Sequence, residues 1–340
     1  MFHKGLWYQN YKQTKMVVWI LLVLFVIHLP FQTILLLESW RSHVKHMNEH
    51  FPGQQVEFHA FEIYNLYFQG IFPFIVMFGI IFLACLLIGV ERNTRRMDFT
   101  FSLPFSRKDM FLSKWLYGML LIFVFHIVNF FISYFTFMQS EFSSELGKVT
   151  LIEIFYGPLI GYLLVFTFAL FIGTITGEMI SQIALTFIFG IFPIGVMILV
   201  QSLIEVHFGY SRFWIENLQW VENITIFNFV LNHQGNEFLD LLYPLIGIAL
   251  FTILSIFLYE RNKIEHNGEF LIFKQLNPIF LVGITICFAL LGGIIISSLA
   301  PWNATTLRII AYWIGVGIFL LFSYLITRRL LRMNIMIKNK

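Results

Sequence analysis

The chain has 340 residues, of which 58% are hydrophobic, 19% aromatic and only 12% charged, with 42 phenylalanines and a formal charge of +3. Soluble domains carry roughly 45–50% apolar and about 25% charged residues, so these few charges cannot cover the apolar surface in water. The composition excludes intrinsic disorder, a disulfide-rich secreted module and a nucleic-acid-binding domain, and it points to lipid as the solvent.

Eight stretches without Asp, Glu, Lys or Arg reach the ~20 residues that a bilayer-spanning helix needs. They are Met16–Leu37, Ile71–Val90, Trp115–Met138, Ile154–Gly177, Met179–Ile204, Leu241–Tyr259, Ile279–Ala300 and Ile309–Thr327. Their lengths of 19 to 26 residues suit helices, whereas barrel strands would be alternating segments of ~10 residues. The first is too long for a signal-peptide core, and no small-residue cleavage site follows it. The expected fold is all-α: one polytopic membrane domain over residues 1–340.

Lys and Arg in the connecting segments set the orientation. A cytoplasmic N-terminus puts 17 of them inside and five outside (Arg41, Lys45, Lys148, Arg212 and Arg308). Both termini are therefore expected in the cytoplasm. In chain order, residues 1–15 mix Phe2, Leu6, Trp7, Tyr8 and Tyr11 with three lysines, which suits an amphipathic helix in the membrane interface. Residues 38–70 form the first long outer segment and residues 91–114 the largest inner loop. Residues 205–240, with Phe213, Trp214, Trp220 and Phe227, form an outer segment apolar enough to rest on the leaflet. Residues 279–327 add a final helical hairpin.

The inner loop carries the most information. Pro104 lacks the N–H that a helix interior needs, so what precedes it must end there. Ser106 and Asp109 have capping-box spacing, which predicts a new helix from Arg107 through Lys114 into the third span. Phe99, Phe101, Leu103 and Phe105 place apolar groups on a cytoplasmic surface beside Arg and Lys. Two readings fit them: a knob that inserts into a groove of a protein partner, or an anchor whose aromatics rest on lipid headgroups.

These residues resemble a known family. Glu91 closing the second span, a basic stretch, then Leu103-Pro104, Ser106-Arg107-Lys108 and Lys114 at the next span are similar to the coupling helix of exporter-class (type-2) ABC transporter permeases. The likeness covers about residues 1–260, and the extra hairpin is similar to the two-permease Ytr-type systems of Gram-positive bacteria. It implies a permease subunit, most simply of an exporter, in the bacterial plasma membrane. Residues 99–111 would then dock into a separate ATP-binding subunit, and a second permease chain, identical or sister, would complete the transporter. Many members carry Gly-Thr shortly after the Glu, where this chain has Thr94-Arg95-Arg96, a difference that bears on how Glu91 sits. No phosphate-binding loop is present, since Gly147-Lys148 is followed by Val149. The chain is accordingly not expected to be an enzyme, and ATP and Mg belong to the partner.

Within the spans, His28 and His126 lie at similar depth, with Gln32 and Asn129 one turn away from each. Such a cluster is either a substrate or proton path or hydrogen-bonding glue between helices. The absence of Asp and Glu from the spans argues against intramembrane metal or acid catalysis. Cys85 and Cys287 lack partners at ligand spacing, so no metal site is expected. Small-residue patterns, Gly157-x-x-x-Gly161, Gly173-x-x-x-Gly177 and Ala289-x-x-x-Gly293-x-x-x-Ser297, allow close helix packing within the chain. A membrane sensor or immunity protein that signals through a partner without transport would use the same loop, and is the alternative to the permease.

Overall fold

The computed structural model describes residues 3–51, 56–68, 70–94, 96–209, 219–231, 238–262 and 264–331. Phe2, Arg95, Arg212, Phe213, Trp214, Lys263, Arg332, Lys338 and Lys340, used above for charge and patterning, lie outside them. The described chain is built of helices, with no β-strand. Eight of its helical runs are long and apolar enough to cross a membrane, in agreement with the count from sequence.

Two compact units are present. The first takes Met1–Ile88, Pro104–Phe171 and Ile226–Glu260; the second takes Gly89–Leu103, Ile172–Thr225 and Arg261–Lys340.

In the first unit, helix α1 (Lys4–Val26) begins in the lysine-rich segment and runs without a break into the first span. Pro30 does not end the run. The backbone absorbs the missing N–H through a π-helical turn, Ile27–Phe31, and continues as α2 (Gln32–His50). The described residues between 38 and 70 are thus largely helical, with α2 followed by α3 (Ala60–Tyr67). Its aromatic knot stacks Trp40 on Phe58 at 4.2 Å, with Phe137 and Phe142 edge-on. Helix α4 (Ile71–Asn93) is apolar on all sides and buries Met77, Ile80, Leu83 and Cys85. Helix α6 (Arg107–Met138) is one continuous rod. Helix α7 (Gly157–Ile175) buries Tyr162, Val165, Phe166 and Ala169. The ring of Phe166 fills the space beside Gly118, where a Cβ would lie 2.0 Å from it. Helices α10 (Asn228–Leu231) and α11 (Leu242–Glu260) close the unit. Gly161 lets the carbonyl of Phe229 approach, and Phe168 meets Phe251 at 5.1 Å.

The second unit holds the end of α4, α5 (Arg96–Ser102), α8 (Met179–Phe208), α9 (Gln219–Ile224), α12 (Asn277–Ser298) and α13 (Thr305–Leu330). The short turn before α8 is pinned by a hook, residues 264–276. Gly268 N donates to Gly177 O at 2.8 Å and Ile272 N donates to Ile175 O at 2.9 Å. A side chain at Gly177 would meet Glu269 O at 2.3 Å, so the hook needs glycine there. Gln182 of α8 fits between Gly89 and Gly173. Helices α12 and α13 meet where a Cβ on Gly315 would lie 2.3 Å from Gly292 O, and Tyr312 packs on Gly293. The small-residue pattern of the seventh span is thereby used inside the chain. Elsewhere the two helices expose Ile279, Val282, Ile286, Leu321 and Phe322, as a lipid-facing surface would.

Candidate functional site

The loop read from sequence is structured along its described length. In the second unit, Glu91 and Arg92 at the end of α4 are buried, at 1% and 2% exposure. Asn93 Oδ1 accepts from Met179 N at 3.1 Å, which ties the end of α4 to the start of α8. Helix α5 turns Met97 and Thr100 inward and leaves Phe99 67% exposed. Its last turn is closed by Leu103 N to Thr100 O and by Ser102 Oγ to Phe99 O. Phe101 and Leu103 are half-buried, so Phe99 is the most exposed aromatic of the stretch.

In the first unit, Pro104 and Ser106 are exposed, and α6 starts at Arg107 as the capping pattern predicts. Asp109 N donates to Ser106 Oγ at 3.1 Å, and Ser106 Oγ donates to Asp109 Oδ2 at 2.6 Å. Phe105 is half-buried, with the ring of His3 4.7 Å away. Two basic side chains fasten the base of α6. Arg107 Nη1 donates to Glu260 O, the last carbonyl of α11, at 3.0 Å. Lys114, 2% exposed, donates to Leu87 O of α4 at 2.7 Å. Lys108 points outward.

The N-terminal helix adds contacts that sequence reasoning missed. Thr14 Oγ1 lies 2.9 Å from Tyr117 Oη, Trp7 meets the Tyr117 ring edge-on at 5.8 Å, and Gln13 donates to Leu86 O. Residues 4–14 therefore brace the start of α6. Leu6, Asn10, Thr14 and Val17 are the buried positions in the first part of α1, and their i, i+4, i+8, i+11 spacing was the available signal.

The intramembrane cluster is only partly assembled. His28, on the π-helical turn, and His126 of α6 are both buried. His126 Nε2 sits 3.3 Å from Phe155 O, within a ring of Phe25, Phe130, Phe155 and Tyr162. Asn129 is buried but turns back to Phe125 O of its own helix, and Gln32 is partly exposed. Hydroxyls continue the seam instead. Thr33 Oγ1 lies 2.5 Å from Ser133 Oγ, which donates to Tyr67 Oη at 3.3 Å. Among the described residues, no group of three or more His, Cys, Asp or Glu could hold a metal ion.

The chain is 25% identical over 286 residues to "Probable ABC transporter permease YtrD" of Bacillus subtilis (strain 168), covering 83% of this chain and 85% of that protein. It is 22% identical over 308 residues to "Probable ABC transporter permease YtrC" of the same organism, covering 86% and 88%. No family model and no solved structure matches the chain. Eight apolar helices and two likenesses that each cover more than four-fifths of both chains make this a multi-pass protein of the bacterial cell membrane, similar to permeases of Ytr-type ABC transporters.

Proposed function

We propose that the chain couples ATP hydrolysis in a separate subunit to movement of a substrate across the membrane, outward as in the exporter class it resembles. The coupling element is residues 91–114, and a second permease chain, identical or sister, completes the transporter. ATP and Mg sit in the partner, and this chain supplies no nucleotide chemistry.

One observation carries the reading. Helix α6 is a single rod from Arg107 to Met138, ~48 Å long at 1.5 Å per residue. Its base is capped by Ser106 and hydrogen-bonded through Lys114 and Arg107 to carbonyls of the second and sixth spans. A push on residues 105–111 is transmitted along α6, and the two bonds pull the ends of α4 and α11 with it. Phe99, Phe101, Leu103 and Phe105 supply apolar contacts to the ATPase, with Lys108 at the rim and the buried Glu91 bracing the end of α4.

Interface energy concentrates in apolar anchors, and rim charges act mainly on rate and salt dependence. Replacing both Leu103 and Phe105 by Ala should weaken ATPase binding by about 2–4 kcal/mol. Lys108→Ala should cost about 1 kcal/mol or less. Co-purification of the ATPase from detergent reads both. Equal retention by the double variant and the wild type would reduce the loop to a topological anchor.

A further inference from the structure

We propose that the Arg328 end of the α12–α13 hairpin is a binding site for the headgroup of an anionic, hydroxylated phospholipid of the phosphatidylglycerol type. The inference does not depend on coupling to an ATPase.

The reasoning begins at the glycines. Gly292 and Gly315 let the helix backbones touch, so α12 and α13 cross there. Further along, Ser323 Oγ donates to Thr285 O at 3.4 Å. Beyond that bond a cleft of ≈ 390 Å³ opens, lined by Asn277, Pro278, Leu281, Tyr324, Arg328 and Leu331. Its volume falls in the range of small-ligand sites, roughly 300–1,000 Å³.

The seam leading to the cleft is polar although the hairpin faces lipid. Ser323 and Thr327 are buried. Asn277 Oδ1 and Thr285 Oγ1 are shielded from solvent without a hydrogen-bond partner. At Thr285, inside the span, such an orphan is costly because the bilayer offers no water to satisfy it, and at Asn277 because burial keeps water away. An acceptor at Asn277 calls for a hydroxyl donor, and Arg328 calls for an anion. Arg328 is exposed at the rim, its guanidinium carbon 6.0 Å from the centre of the Tyr324 ring. Leu281, Pro278 and Leu331 supply apolar walls beside them. One headgroup meets all three demands: its phosphate on Arg328, its glycerol hydroxyl on Asn277, its acyl chains along Leu281. The positive-inside expectation puts this end at the cytoplasmic leaflet, where anionic lipids and basic residues meet.

Native mass spectrometry of the full chain, delipidated in detergent and exposed to phosphatidylglycerol or phosphatidylcholine, tests the site. Wild type should bind phosphatidylglycerol about fivefold more tightly, the equivalent of the ~1 kcal/mol that one basic residue contributes at an anionic surface. Arg328→Gln should remove that preference. Asn277→Leu, which removes the acceptor for the glycerol hydroxyl, should reduce it. Arg308→Gln, at the far end of the hairpin where Arg308 lies over Trp302, should retain it. Equal binding of the two lipids by wild type, or an unchanged preference in Arg328→Gln, would overturn the proposal. Displacement of the lipid by millimolar inorganic phosphate would assign the cleft to free phosphate and would overturn it as well.

Discussion

At the scale of single residues, local chemistry was the most legible. The Ser106 and Asp109 pair needs nothing beyond its own four residues, so its spacing sufficed to place the start of α6. The histidines were legible because imidazoles are rare in lipid. The Thr33, Ser133 and Tyr67 seam was not, because a hydroxyl in a span leaves no signal until its neighbour is known. Glu178 was passed over for a similar reason: a single charge between two spans reads as a turn. It is 2% exposed, and burial raises its carboxyl above the ordinary range, against a hydrogen bond from Ser181 Oγ at 2.7 Å. The folded state then holds the proton more tightly than the unfolded chain. Stability is greatest at acid pH and falls as pH rises from the unfolded value through the raised folded one. Glu178→Gln should therefore raise the melting temperature at neutral pH, and the gain should vanish on acidification. A thermal melt series in detergent reads this, and a gain independent of pH would refute it.

Secondary-structure elements were legible in kind and number, less so in their limits. The eight spans were visible because each is long and free of charge. Their continuity was not. Lysines before Met16 suggested a separate interfacial helix, yet no residue in 4–50 forbids helix once a π turn absorbs Pro30. How far the small-residue patterns matter can be tested in the last hairpin. Gly315→Ala places its Cβ against the Gly292 carbonyl, a backbone atom that cannot yield, and should cost about 1–3 kcal/mol. Gly317 has nothing within 4 Å of its would-be Cβ. Gly317→Ala should be neutral or stabilising by up to ~1 kcal/mol, because alanine is the better helix former. Opposite shifts in melting temperature are expected, and equal ones would mean the helices are not packed through Gly315.

At the scale of the whole molecule, orientation rests on where the Lys and Arg residues fall. A reporter fused after Asn339, outside the described residues, should report cytoplasm, and one inserted near Gln219 should report the exterior. The reverse at either site would move residues 91–114 to the wrong side for an ATPase. Composition revealed the class of protein, and the Leu103 to Lys108 motif suggested the family that the YtrD and YtrC likenesses support. The bracing of α6 by the N-terminal helix, and the hook at 264–276, depend on pairings between segments far apart in sequence; the spacing of Leu6, Asn10, Thr14 and Val17 marks a buried face but not its partner, and the hook left no local mark. The central claim is that movement enters through residues 91–114. Its most direct test is ATP turnover in nanodiscs containing this chain and the ATPase that co-purifies with it. The Leu103→Ala, Phe105→Ala double variant is forced to associate by excess ATPase, so that coupling rather than binding is read. Turnover that loses its dependence on the permease, with the chain still inserted and folded, is the expected result; turnover indistinguishable from wild type would contradict the account.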